Sequence, residues 1–152
     1  MSNPTVTAEV EKIWKEQLTD QPKQTPDQIR AAKALIELFL ATFKYHDYSV
    51  TRRLVRKDYI QHNLTVGTGQ DSIIEFAERE ALRETPAIIN YKRLLVDGEY
   101  VFVQFHVDLS DGSPGLNCME ILRFNDGQFT EHWDVAATIP PASEHKNKNG
   151  PF

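Results

Sequence analysis

A chain of 152 residues, 40% hydrophobic and 26% charged, has the length and balance of one soluble globular domain with a sizeable core. A net charge of −5 without any Lys/Arg cluster argues against a general nucleic-acid or membrane-surface binder. The single cysteine, Cys118, leaves no intrachain disulfide and no zinc-type cluster, and MSNPTVTAEVEKIW lacks the apolar run of a signal peptide, so the cytoplasm is the expected location.

In chain order, residues 1–25 read as a partly helical extension, with Val10, Ile13, Trp14 and Leu18 at near-helical spacing. The main domain is expected over 26–152. Thr25 as a cap with Pro26 in the first turn announces a second helix to about Tyr45, buried along Ile29, Ala32, Leu35, Ile36, Phe39, Leu40 and Phe43. A short helix over 48–55 leads into the extended stretch KDYIQHN. VGTGQDS is a turn, after which Asp71 or Ser72 can cap a helix to about Arg83.

From Ile88 the apolar period becomes two. Strands are expected over 90–96, 99–108, 116–124 and 128–136, with turns at Asp97-Gly98 and Asn125-Asp126-Gly127. Helices first and a strand meander afterwards make an α+β fold: a curved antiparallel sheet wrapped around N-terminal helices, with a pocket between the layers.

The last hairpin carries many ionisable groups among apolar ones. A three-residue loop at Asn125-Asp126-Gly127 sets Phe124 opposite Gln128, hence Glu120 opposite His132 and Cys118 opposite Asp134. One face then shows Cys118, Glu120, Leu122, Phe124, Thr130, His132 and Asp134. The other shows Met119, Ile121, Arg123, Phe129, Glu131, Trp133 and Val135, a candidate dimer surface. A two-residue turn would instead set Trp133 beside Glu120. On the strand before, Tyr100, Phe102, Gln104, His106 and Asp108 form the more ligand-like side, against Val101, Val103, Phe105 and Val107.

YIQHN (59–63), GTGQDSIIEF (67–76), DGEYVFVQFHV (97–107), EILRFNDGQFTEHWDV (120–135) and NKNGPF (147–152) together resemble the SnoaL-like polyketide cyclase family, of the nuclear-transport-factor-two-like cone superfamily. The resemblance implies a cone-shaped α+β fold with a deep pocket, a homodimer through the sheet, and cofactor-free acid–base chemistry on a hydrophobic carbonyl compound, by aldol closure or isomerisation. It places Glu120 where isomerase relatives keep an acidic group that donates to the enolate, and His62 near their carboxylate base. Their oxyanion tyrosine falls near Phe39, which has no hydroxyl.

Such a step needs a base for a proton alpha to a carbonyl and a donor for the enolate oxygen. The expected catalytic set is His62 as base and Glu120 as acid, with His106, His132 and Asp134 orienting them. Phe39, Tyr59, Phe102, Gln104, Cys118 and Leu122 are expected to line the ligand. The histidines and Glu120 lie on separate elements without metal-motif spacing, so neither metal nor other cofactor is expected. Each candidate also has a plain structural reading, as an ion pair or a backbone-bonded histidine, and a non-catalytic binding or dimerisation module is the alternative. A module binding a protein partner through the sheet is a third.

Overall fold

In the computed structural model, which describes residues 4–152, α1 (Pro4–Glu16) turns Val6, Val10 and Ile13 into the same core that buries α2 (Pro26–Phe39). The start of α2 follows from its sequence. Thr25 accepts from the Gln28 amide while Gln28 accepts from the Thr25 amide, a reciprocal capping box that satisfies two donors lacking helical partners. One π-helical turn, Leu40–Lys44, ends α2, and α3 (Tyr48–Leu54) docks against it through the buried Thr42–Thr51 hydroxyl pair at 2.7 Å.

After α3 come β1 (Val55–Gln61), α4 (Gln70–Glu80), β2 (Ile88–Asp97), β3 (Tyr100–Asp108), β4 (Leu116–Asn125) and β5 (Gln128–Thr138). The α+β class is as expected. The sheet is open and mixed rather than purely antiparallel, in the order β1-β5-β4-β3-β2, with β1 parallel to β5. The cap of α4 also differs from expectation: Gly69 precedes the helix, and Asp71 sits in its first turn, paired with Arg52.

The hairpin register departs from the expected one in an informative way. Asp126 and Gly127 both have positive φ, 50° and 79°, and make a two-residue turn with Asn125 opposite Gln128 and Phe124 opposite Phe129. The register then slips by one at Thr130, so that Arg123 faces Glu131, Leu122 faces His132 and Glu120 faces Asp134. The tight turn alone would have reversed the faces of β5, but the bulge reverses them back. Glu120, His132 and Asp134 therefore share the concave side as expected, and Trp133 stays on the convex side. Phe129 is the exception. It lies before the bulge, fully buried and 4.7 Å from the Phe124 ring.

On β3 the expected sides are exchanged. Val101, Val103 and Phe105 are the buried core residues, and they pair with Leu122, Glu120 and Cys118 on the concave side. Phe102, Gln104 and His106 pair with Ile121, Met119 and Asn117 on the convex side. The helices cover the more apolar set, and burial of a Val/Val/Phe row outweighs any polar character on the other.

Candidate functional site

On the concave side, β4 and β5 bring three titratable groups together. The ligating atoms of Glu120, His132 and Asp134 all lie within 4.8 Å of one another. His132, 8% exposed, sets Nε2 3.2 Å from Glu120 Oε2. Its Nδ1 lies 2.7 Å from Gln61 Oε1, because Gln61 ends β1 directly beside His132 in the parallel pairing.

This arrangement fixes the imidazole tautomer. Gln61 Oε1 also accepts the Asn63 backbone N–H at 2.9 Å, which an amide nitrogen cannot do. The oxygen therefore faces Nδ1, and Nδ1 must carry the hydrogen. Nε2 is left with its lone pair, or a second proton, toward Glu120. Glu120 Oε2 and His132 Nε2 lie within hydrogen-bond reach of each other at 3.2 Å. Asn63 Nδ2 donates to Asp134 Oδ2 at 2.6 Å and holds that carboxylate beside the pair.

Apolar and weakly acidic groups surround the cluster. Tyr59 stacks on His132 at 6.4 Å between ring centroids, and burial, with the Glu120 and Asp134 charges, pushes its phenol well up. Burial and the same two carboxylates push the Cys118 thiol up to about 12, so it stays a protonated, inert core thiol. Leu122 is buried opposite His132, and Phe39 meets Phe43 and Phe105 edge-on in the core.

The structure does not bring His62 or His106 to this cluster. His62 lies on the convex side, its ring stacked on Trp133 at 4.9 Å and 5°, with Nε2 2.9 Å from Glu131 Oε1. That bond, with Arg123 on the other Glu131 oxygen at 3.0 Å, holds the Glu131 carboxyl below its usual range. His106 faces the Pro114 carbonyl at 2.9 Å and the Phe152 ring. Gln104 is taken up by Arg93 and Asn117. Phe102 lines a convex depression of about 430 Å³ with Tyr100, Ile121 and Trp133. A second depression of about 450 Å³ lies along β2, lined by Gln17, Asp20, residues 90–93 and Phe152. Neither depression is lined by Glu120, His132 or Asp134.

Sequence reasoning passed over Gln61, Asn63 and Tyr91. For the first two the sequence shows only that Gln61 and His62 are neighbours on an extended stretch and so face opposite ways, not which of them faces the cluster. Tyr91 gave no signal. It is 3% exposed, and its hydroxyl is the one buried side-chain polar atom without a hydrogen-bond partner among the described residues.

A family model described as SnoaL-like domain matches residues 36–132. No curated protein matches the chain. Among solved structures it is similar to a protein assigned as a ketosteroid isomerase from Kribbella flavida DSM 17836, with TM-score 0.60 and 20% identity over 83% of this chain and 93% of that one. It is also similar to an LEH-like epoxide hydrolase from M. tuberculosis, with TM-score 0.58 and 18% identity over 74% and 86%. A protein assigned as a polyketide cyclase from Bacillus cereus ATCC 10987 gives TM-score 0.57 and 18% identity over 80% and 90%. At these identities the likeness is one of fold. Among the described residues no helix is long and apolar enough to cross a membrane.

Proposed function

Because the chain belongs to the SnoaL-like family, we propose that it is a small cofactor-independent enzyme that moves a proton alpha to the carbonyl of a hydrophobic compound, by aldol cyclisation or isomerisation. The observation that carries this reading is the contact of His132 Nε2 with Glu120 Oε2 at 3.2 Å, with the opposite ring nitrogen committed to Gln61.

Glu120 as carboxylate takes the alpha proton onto Oε2, while imidazolium His132 gives its Nε2 proton to the carbonyl oxygen, and an enol forms. The pair ends as a carboxylic acid and a neutral Nδ1–H imidazole. Two protons have moved and the net charge of enzyme plus substrate is unchanged. Passing the remaining proton across the 3.2 Å gap resets the pair. Tyr59, Cys118, Leu122 and Phe39 are the residues of the expected ligand set on this side, and their apolar surroundings favour such an exchange.

The test is deuterium exchange of alpha protons in a panel of cyclic ketones and β-keto esters in D₂O, followed by NMR. Wild-type chain is expected to accelerate exchange for at least one compound, and Glu120→Gln to remove the acceleration. Exchange at the buffer rate throughout, or acceleration that survives Glu120→Gln, contradicts the reading. One observation favours the alternative of a non-catalytic binding module: both described depressions lie away from the cluster. In that case a compound binds with wild-type affinity to Glu120→Gln and never exchanges.

We further propose that the convex face pairs with a second copy of the chain. Tyr100, Met119, Ile121 and Val135 leave 44, 45, 40 and 70% of their surface exposed around Trp133, a grouping that a solitary chain has little reason to keep in water.

A further inference from the structure

The charge balance of the concave cluster is unusual. Among the described residues neither Glu120 nor Asp134 has a Lys or Arg partner. Glu120 meets His132, and Asp134 meets the neutral Asn63 amide. Two carboxylates gathered on a partly buried sheet face, with only a histidine between them to balance their charge, repel one another, and a cation relieves that repulsion.

The geometry suits one. A metal with bonds of about 2.1 Å holds tetrahedral ligand atoms roughly 3.4 Å apart. His132 Nε2 and Glu120 Oε2 are already 3.2 Å apart, and the Asp134 oxygen lies within 4.8 Å of both. The groups behind them are those a metal site needs. Gln61 takes the Nδ1–H of His132 and so aims the Nε2 lone pair inward, and Asn63 fixes one oxygen of Asp134 and leaves the other free to ligate.

We propose that Glu120, His132 and Asp134 form a site for a divalent transition-metal ion that accepts mixed nitrogen and oxygen ligands, such as Zn²⁺ or Mn²⁺. The ion occupies the same Nε2 and Oε2 lone pairs that the proton uses, so it regulates the reaction as an inhibitor. Binding stands on the geometry alone, whereas the inhibition rests on the proton-transfer reading above.

The experiment titrates the full chain with Zn²⁺ by calorimetry and with Co²⁺ by its visible absorption bands. One ion is expected per chain, with a Kd of roughly micromolar order and the absorption of a nitrogen- and oxygen-ligated ion. His132→Gln and the near-isosteric Asp134→Asn should each weaken binding about a hundredfold, and Gln61→Leu about tenfold. His62→Gln, on the opposite face, should leave it unchanged. Absence of a one-to-one site, a site lost in His62→Gln, or one kept in both His132→Gln and Asp134→Asn overturns the proposal. Melting curves show which variants remain folded, and Asp134→Asn retains the test if His132→Gln does not fold. Zn²⁺ that binds without slowing alpha-proton exchange overturns the inhibition while leaving the site, and a chain that binds Zn²⁺ but catalyses no exchange counts against the proton-transfer reading alone.

Discussion

The His62 amide donates to the His132 carbonyl at 3.0 Å, yet the two imidazoles point to opposite sides of the sheet. His132 turns toward Glu120, and His62 stacks on Trp133. A backbone bond thus joins the histidine proposed to handle a proton to one that stacks on Trp133 and meets Glu131 on the far face. Replacing His62 with Gln should leave alpha-proton exchange within about twofold of wild type, since a group that donates no proton in the transition state lacks the usual 10²–10⁴-fold effect. A loss as large as that for Glu120→Gln would return His62 to the reaction.

Gln61 reads as the residue that fixes the His132 tautomer. Gln61→Leu leaves the buried Nδ1–H without an acceptor, and the chain should lose about 1–3 kcal/mol of stability in urea unfolding. Exchange activity should fall more than this loss of folded population explains. Unchanged stability would mean that water or another acceptor serves Nδ1 equally well.

Tyr91→Phe should make the chain more stable, by about 1 kcal/mol at pH 8, because it removes a buried hydroxyl that has no partner. Its pH dependence has a definite sign. Burial, then the Glu120 and Glu9 charges, raise the Tyr91 phenol above its ordinary value of 10.0. The stability this confers is fully present below about pH 10, the unfolded value, and is lost as pH rises toward the folded one. Urea midpoints at pH 8 and pH 11 should therefore fall further for wild type than for Tyr91→Phe. Equal falls would place the alkaline loss on other groups, Tyr59 among them.

Much of this architecture is legible in the sequence because its signals are local. Thr25-Pro26 and the stripe from Ile29 to Phe43 specify α2, and two-residue alternation specifies the strands. The division of β4 and β5 into an acidic concave side and a Trp133 side is also visible, although by a register that does not occur. What escapes is non-local. The parallel pairing of β1 with β5 sets Gln61 beside His132 and sends His62 to the far face, and no pattern within YIQHN announces that pairing. The bulge at Thr130 depends on how β5 meets both β4 and β1. On β3, polarity alone assigned Phe102, Gln104 and His106 to the ligand side, but the buried row of Val101, Val103 and Phe105 decides the orientation.

The convex face gives a further test. Ile121→Glu introduces a charge among Met119, Trp133 and Val135, where a partner chain is proposed to pack. Analytical ultracentrifugation should show dimer for wild type and monomer for Ile121→Glu, with little change in melting temperature. A monomeric wild-type chain would remove the proposed interface.

The central claim is that His132 and Glu120 hold one proton between Nε2 and Oε2 while Nδ1 stays protonated against Gln61. Long-range ¹H–¹⁵N NMR of histidine-labelled chain measures this directly. The account predicts a His132 signal with Nδ1 protonated, and an Nε2 resonance that moves in Glu120→Gln while that of His62 does not. A His132 ring with Nδ1 unprotonated, or an Nε2 resonance unmoved by Glu120→Gln, would contradict it.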